Sequence, residues 1–548
     1  MKTPTRTLAV IGFGPRGLGA LEALAIDAMK RKIRFKIDIF DTLDALGAGP
    51  NFHPDEDHLC ILNIPVRILD IDPPDCMSDH IAPFADWSAN DYDGDDFPPR
   101  SDLGAYLEAR FAALCEATKD VFDVTHIRSK AHDLKQDDGW HIKTQSDQYG
   151  PYDEVLLSPG QPATKLDPQM KKWTDHAEDH GLDLLPSYPG TDLLEAASGW
   201  HDKTVAIRGL GLSTHDVLRI LTIGLGGKFD GGCYIRSGRE PRRILPYSRD
   251  GLPPAPKPAT AAIDRRFDPT QGEVEAFKAA LTQAVGQGPD GALETICAAL
   301  IPPTLRILDA CNGAQSRQAV AQWLFTERKT PGAQDIQDTI AALRISIEMA
   351  HQRIPPSVGY VIGQIWRKMQ NELRSGVNSA VLASDTATAI VGFDEALKRY
   401  SYGPPVAASE QLLMLIDDGL VSLQAVDDPD ILMEPKGWRL IEGDAALLAP
   451  VMIDAVLPNP SLETIVAPLI EGAREEGLIT AVAEGFGAQT RPDGSLVGRD
   501  GAAQTGLSLL GRLSLGSVIA TDSLHDCFGA STHRWAAGVM DRSTRQAQ

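Results

Sequence analysis

The apolar positions of this chain settle into a strand–turn–helix–strand order at once. Leu8-Ala9-Val10-Ile11 is an unbroken apolar run into Gly12, and from Leu18 to about Met29 apolar residues recur at helical spacing. A second run, 35–40, alternates and ends at Asp41. Between the first run and the helix lies Gly12-Phe13-Gly14-Pro15-Arg16-Gly17. Gly12 permits a tight turn, Gly14 lets backbone approach a pyrophosphate, and Gly17 lets helix pack close on strand. The helix start offers free N–H groups and a partial positive charge. Asp41 stands where an acid takes the ribose hydroxyls of a dinucleotide. An ordinary βα turn needs neither three glycines nor that acid, so the pattern predicts a dinucleotide site.

The pattern recurs. Residues 204–208 are an apolar strand, followed by Gly209-Leu210-Gly211-Leu212-Ser213 and a helix through Val217, Leu218, Ile220 and Leu221. Gly209, Gly211, Leu212 and Ser213 are the expected cofactor contacts of this turn. Cys233-Tyr234-Ile235 reads as the second strand of the unit, with Arg236 and Arg239 where an acid would select an unphosphorylated ribose. Arginine there suits a 2′-phosphate, so the second site leans to NADPH over NADH. Arg249 completes a basic cluster, and surface arginines without a ligand are the alternative. Each glycine turn is followed later by a Trp-bearing strand, at Trp140 and Trp438, and by a buried strand with a proline-rich exit.

From about residue 271 the pattern turns helical, with segments expected at 274–285, 316–326, 336–350, 361–373 and 410–416. Pro302-Pro303, Pro331-Gly332, Pro355-Pro356 and Pro404-Pro405 read as breakers. The fold class expected is α/β: two Rossmann-like, three-layer ββα dinucleotide-binding domains with a mostly helical insert. A first, discontinuous dinucleotide-binding domain is expected over 1–165 and 475–548, and a second, NAD(P)H-binding, over 200–270 and 425–462. The insert, 271–424, is expected to form a substrate lid or a homodimer surface.

Composition narrows the function. At 548 residues the chain exceeds a single core. A net charge of −23 argues against nucleic acid or an anionic membrane as the main partner. The seven cysteines include no CxxC, so no metal site is expected and a cytoplasmic location is favoured. The chain enters a core strand by Leu8, which speaks against a signal peptide. No apolar run is expected to reach the roughly 18–20 residues of a membrane span.

A set of motifs spread over both units resembles a known family. They are Gly12-x-Gly14-Pro15-Arg16-Gly17, Gly47-x-Gly49, His58-Leu59-x-x-Leu62-Asn63, Met77-Ser78 and Phe97-Pro98-Pro99-Arg100 with Gly104-x-Tyr106-Leu107. Further on stand Arg208-Gly209-Leu210-Gly211-Leu212-x-x-x-Asp216, Ser237-Gly238-Arg239-Glu240-Pro241, Ser248-Arg249-x-Gly251 and Gly511-Arg512-Leu513 with Cys527-Phe528-Gly529. The chain resembles the FAD/NAD(P)-binding monooxygenases that include flavin-dependent urate hydroxylases and aspartate N-oxygenases. It departs from them at Leu225, where an arginine is expected, and the insert matches nothing in them.

The resemblance implies FAD at the first turn and NAD(P)H at the second. It implies an oxidoreductase passing oxygen from O2, through a peroxyflavin, to a small polar metabolite. N-oxygenation of an amino acid leads. Ring hydroxylation, as of urate, a reductase without oxygen transfer, and a non-catalytic FAD-binding redox sensor are the alternatives. Residues 51–63 are the expected isoalloxazine side. Asn63 is a candidate hydrogen-bonding residue there, His53 and His58 are candidates for proton transfer near neutral pH, and Arg100 for a phosphate or substrate carboxylate. Pro15, Arg16 and Gly49 are expected with the FAD glycines. Substrate identity stays open at this level.

Overall fold

The computed structural model describes residues 5–334 and 338–545. Its first sheet has the strand order Ser495–Val497, Ala503–Leu509, Glu154–Leu157, Thr5–Ile11, Arg34–Phe40, Phe122–Ile127. Only the edge pair Ser495–Val497 and Ala503–Leu509 is antiparallel. The period-two alternation of strand Thr5–Ile11 divides two cores. Leu8 and Val10 face a layer containing helices Pro15–Arg31, Arg100–Ala117 and Ala530–Arg545. Ala9 and Ile11 face Trp140, Ile142 and Tyr152 of a three-stranded antiparallel meander. Three layers result, as expected.

The second sheet repeats this plan. Its order is Arg243–Tyr247, Thr204–Arg208, Val451–Asp454, Asp183–Pro186, all parallel. Val205 and Ile207 face helices, while Ala206 faces Trp438 of the meander Asp430–Glu434, Gly437–Glu442, Ala445–Ala449. Trp140 and Trp438 therefore occupy equivalent layers, which accounts for the sequence repeat.

Three expectations change. Cys233–Ile235 pairs antiparallel with Lys228–Asp230 as a separate ribbon, and the second strand of this unit is Arg243–Tyr247. Strand Asp183–Pro186, outside the expected 200–270 span, belongs to the sheet because it pairs with Val451–Asp454. The return to the first unit begins before 475: Leu462, Ile465 and Leu469 are already in its meander-side core.

The insert is helical, and its core holds Trp366, Met369, Ile296, Leu300 and Phe393. Helix Pro289–Ala310 carries Pro302 and Pro303 inside it, so that pair is not a breaker. Each proline lacks the N–H that would serve the carbonyl four residues back. Those carbonyls belong to Ala298 and Ala299, which line an open groove of about 760 Å³ against helix Gln271–Ala284. At 22 residues this helix is long and apolar enough to cross a membrane by length and composition, contrary to expectation. Its Ala292, Ile296, Leu300 and Ile307 are buried in the insert. Of the helix expected over 336–350, Ile336 and Gln337 lie outside the described residues; the rest is Thr339–Ala350.

Candidate functional site

Both glycine turns sit at the carboxyl ends of parallel strands, where ligands bind in open α/β sheets. At the first, Gly12 has φ +81 and donates its N–H to Phe40 O at 2.9 Å. A Cβ on Gly12 would lie 2.7 Å from Ser158 O, and one on Gly17 2.8 Å from the Phe13 ring. Only glycine fits either place. Gly14 begins helix Pro15–Arg31, with Pro15 in its first turn. A Cβ built on Gly49, at φ +66, would stand 3.2 Å from Gly14 Cα. Two bare backbones thus face each other over the helix start, a cradle that side chains would fill. It fits the pyrophosphate of a dinucleotide.

Asp41 is half-buried at the end of the next strand. Its Oδ2 accepts from Phe13 N–H at 2.6 Å and its Oδ1 from Leu43 N–H at 2.9 Å. The acid thus holds the turn in shape, and each oxygen keeps a lone pair for a ribose hydroxyl.

The structure gives several candidates protein partners of their own. Arg16 is buried, and its Nη1 donates to Asp526 Oδ2 at 2.5 Å and Asp526 O at 2.6 Å. Its guanidinium clamps the tail to the first turn instead of lying free for a phosphate. Arg100 is likewise spent: Nη2 meets Asp216 Oδ2 at 2.7 Å, and the guanidinium lies 4.7 Å over the Tyr188 ring. This ion pair joins the two dinucleotide units. His58 is largely exposed beside Asp57, and His53 Nδ1 accepts from Asp55 N–H at 3.2 Å. Both make local loop contacts. Asn63 is half-buried, and its side chain has no hydrogen-bond partner among the described residues.

Part of the stretch 51–63 packs against the second unit. Leu59 and Cys60 are buried in the core of the second unit, beside Trp200 and Val217. Glu56 Oε1 accepts from Gly190 N–H at 2.6 Å, at the start of helix Gly190–Ala197. Burial and the nearby Asp216 and Glu56 push the Cys60 thiol far up, so it stays protonated.

At the second turn, Gly209 has φ +125 and donates to Tyr247 O at 2.8 Å. A Cβ on Gly211 would meet nothing within 4 Å, so the space over the start of helix Leu212–Arg219 is open. Leu212 and Ser213 are the first residues of that helix. Arg249 lies two residues beyond Tyr247, at this same end, and is exposed. Arg236 and Arg239 do not join it. The backbone nearby bonds Arg242 N–H to Lys203 O, at the opposite end of the sheet. A five-residue strand at ~3.3 Å per residue separates the two ends by about 16 Å. Arg236 pairs with Asp418 at 2.7 Å, and the Arg239 guanidinium covers Gly226. The misread strand 233–235 is the source of that misplacement.

Sequence reasoning missed the groups that hold the tail over the first turn. A Cβ on Gly19 would clash at 1.9 Å with Cys527 O, so this glycine lets the tail cross the helix. Arg512 donates to Gln161 Oε1 at 2.6 Å and Pro458 O at 3.0 Å, tying the tail to both segments that connect the units. The signal for Gly19 was its place inside a helix, where glycine is unfavourable.

Two parallel sheets, each with its own glycine turn and meander, define the class as a two-dinucleotide α/β protein. Residues 9–162 match the family model described as FAD-NAD(P)-binding. Over 275 residues, 46% of this chain and 42% of the relative, the sequence is 29% identical to a nitrosuccinic acid synthase of Aspergillus oryzae. It is 28% identical over 307 residues to a nitrosuccinate-forming L-aspartate N-monooxygenase of Streptomyces davaonensis, covering 46% of this chain and 45% of that one. The chain thus spans less than half the length of these curated relatives. Among solved structures, it superposes on an FAD-bound cadaverine monooxygenase of Erwinia amylovora with a TM-score of 0.46 and 10% identity, covering 98% of this chain and 94% of that one. A complex of the protein OTEMO with FAD and NADP gives 0.46 and 12%, covering 100% and 85%.

Proposed function

We propose that this protein is an FAD-dependent, NADPH-consuming monooxygenase that N-oxygenates an amino acid, with L-aspartate the first candidate. The observation that carries the reading is the pair of glycine turns on two separate sheets. One is covered by the chain's own tail, as suits a permanent cofactor, and the other is open above Gly211, as suits a reductant that comes and goes. The two curated relatives supply the amino acid and the nitrogen.

Bound FAD would supply the chemistry of hydride acceptance and oxygen activation. The chain supplies the rest. The N–H groups at the start of helix Pro15–Arg31 and the bare Gly14–Gly49 cradle hold the pyrophosphate, with Asp41 on the ribose. The helix start at Leu212 and Ser213 holds the second pyrophosphate, and Arg249 reads the 2′-phosphate. The insert docks on the tail through Asn378 and Ile519, a contact that would limit access of water to a flavin bound at that end. The substrate amine must be unprotonated to accept oxygen, so the reaction also needs a proton acceptor or a pH that supplies the free amine. The reading carries with it a cytoplasmic location, which the seven free cysteines suit.

The test is direct. The purified protein should be yellow and should oxidise NADPH faster in the presence of L-aspartate, with little peroxide and with an N-oxygenated product by mass spectrometry. Substrate-independent NADPH loss that all appears as peroxide would turn the assignment toward an oxidase. Stimulation by urate alone would turn it toward ring hydroxylation. A colourless protein that takes up no FAD would end it.

A further inference from the structure

Four arginines are buried among the described residues: Arg16, Arg110, Arg219 and Arg374. Three hold a carboxylate, namely Asp526, Glu22 and Asp216. Arg374 does not. Arg374 is 7% exposed as a residue, and its guanidinium makes one hydrogen bond among the described residues, from Nη2 to the neutral Asn371 Oδ1 at 2.6 Å. A buried guanidinium without an anion is costly, and it is unexpected in a chain of net charge −23. One helical turn earlier, on the same face, Gln370 Oε1 is buried with no donor. The helix Gln370–Val377 thus presents an unmet cation and an unmet acceptor side by side.

Their location is specific. Strand Ala503–Leu509 runs parallel to Glu154–Leu157, so the tail after it leaves at the end where the Gly12 turn sits. The insert docks on that tail through Asn378, whose side chain accepts from Ile519 N–H at 2.9 Å and donates to Ile519 O at 3.3 Å. Arg374 is one turn before Asn378. Its charge acts on Tyr402, His525 and Cys527, which approach from the insert and the tail. The Tyr402 hydroxyl has no hydrogen-bond partner among the described residues. Asp394, Asp522 and Glu395 also act on Tyr402, but Asp394 holds Trp366 and Gln370, while Asp522 holds Arg512 and Lys398.

We propose that Arg374 binds the carboxylate of the amino-acid substrate where the insert meets the tail, with the Tyr402 hydroxyl as a second donor. The inference rests on the monooxygenase reading. Gln370 Oε1 is placed to accept an N–H of the same ligand, and a neutral hydrocarbon amine would leave the cation unmet. The insert then selects substrates and does not hold FAD.

The test compares the wild-type holoenzyme with Arg374→Gln, Arg374→Lys and Tyr402→Phe. FAD content should be unchanged in all three. In Arg374→Gln the KM for L-aspartate should rise tenfold or more, with the peroxide share of NADPH oxidation increased. Arg374→Lys should recover part of that loss, and Tyr402→Phe should show a smaller rise. Succinate, a dicarboxylate without the amine, should perturb the flavin spectrum of the wild type and not of Arg374→Gln. Loss of FAD in a folded Arg374→Gln would assign the arginine to the cofactor's phosphates and overturn the proposal; an unchanged KM would also overturn it. If the wild type oxidises no amino acid, the monooxygenase reading fails. The succinate titration still decides the site: an equal response in wild type and Arg374→Gln, or none in the wild type, overturns it. Should Arg374→Gln not fold, the KM shift in Tyr402→Phe carries the decision.

Discussion

Arg100 and Asp216 face each other across the boundary between the two dinucleotide units, 2.7 Å apart, with Asp216 buried and Arg100 half-buried. Arg100 begins a helix of the first unit, and Asp216 lies in the helix after the second glycine turn. Asp216 also accepts from Tyr188 O–H at 2.6 Å, from Arg219 at 3.3 Å and from Ile61 N–H at 3.3 Å. One carboxylate thus gathers groups from both units, and on the proposed reading it would help set how the reductant's site meets the flavin's. Hydride transfer is steeply sensitive to such alignment.

Asp216→Asn should therefore destabilise the protein and slow its reduction. Asp216 also holds buried Arg219, and removing one partner of a buried pair costs about 3–5 kcal/mol because the other charge is stranded. Thermal unfolding should begin at clearly lower temperature. In stopped-flow measurements, NADPH-driven flavin bleaching should slow at least tenfold with FAD content retained. Replacing both partners, Arg100→Met with Asp216→Leu, should restore little of either stability or reduction rate, because buried Arg219 still lacks its carboxylate. Full-speed reduction in Asp216→Asn would show that the pair serves stability alone.

The Gly14–Gly49 cradle makes a sharper prediction about FAD. Gly49 sits at φ +66 with its missing Cβ 3.2 Å from Gly14 Cα. Gly49→Ala must strain the backbone, at about 1–3 kcal/mol, and push the two backbones apart. The flavin absorbance per mole of protein should fall severalfold, with far-UV circular dichroism preserved. Gly211→Ala has space and an ordinary φ of −93. It should keep FAD and raise the KM for NADPH, since the methyl enters the opening that the reductant needs.

Lys257 supplies a pH dependence. It is buried, its Nζ donates to Gly403 O, and burial, with Arg367 nearby, depresses its pKa to about 7; Asp264 opposes that shift. In the unfolded chain the amine titrates near 10.4. Between those values the unfolded state binds the extra proton, so stability rises with pH across the window, by up to roughly 1.4 kcal/mol per unit. Below about pH 7 the full penalty applies. Lys257→Met should raise the unfolding temperature most at pH 6, and the advantage should shrink steadily toward pH 10. An advantage independent of pH would mean that the gain is packing alone.

The layers were readable in the chain because they rest on local rules. The unbroken apolar run Leu8–Ile11 and glycine at Gly12, Gly14 and Gly17 act through residues adjacent in sequence. The Trp140 and Trp438 repeat gave away the second copy of the fold. What failed depended on distant partners. Cys233–Ile235 has strand character, yet it pairs with Lys228–Asp230 and not with the sheet, and a short apolar triplet carries no mark of its partner. Pro302-Pro303 reads as a breaker, but the pair is accommodated beside an open groove. Arg16 and Arg100 stand next to ligand-like motifs, and the carboxylates that claim them are 510 and 116 residues away.

The coenzyme preference follows from the corrected strand. A 2′-phosphate is read just past the second strand of a dinucleotide unit. That strand is Arg243–Tyr247, so the reading position falls on Ser248 and Arg249 rather than on Arg236 and Arg239. Arg249→Ala should raise the KM for NADPH about tenfold and leave that for NADH within twofold, because only NADPH carries the phosphate that loses its cation. Arg236→Ala with Arg239→Ala should change neither, since Arg236 is tied to Asp418 at the far end of the sheet. Steady-state kinetics with both coenzymes separates the cases. A selective loss of NADPH in the double variant, with Arg249→Ala silent, would place the phosphate at the ribbon and overturn the assignment of the nicotinamide site. Equal losses of NADH and NADPH in Arg249→Ala would instead assign that arginine to the pyrophosphate that both coenzymes share.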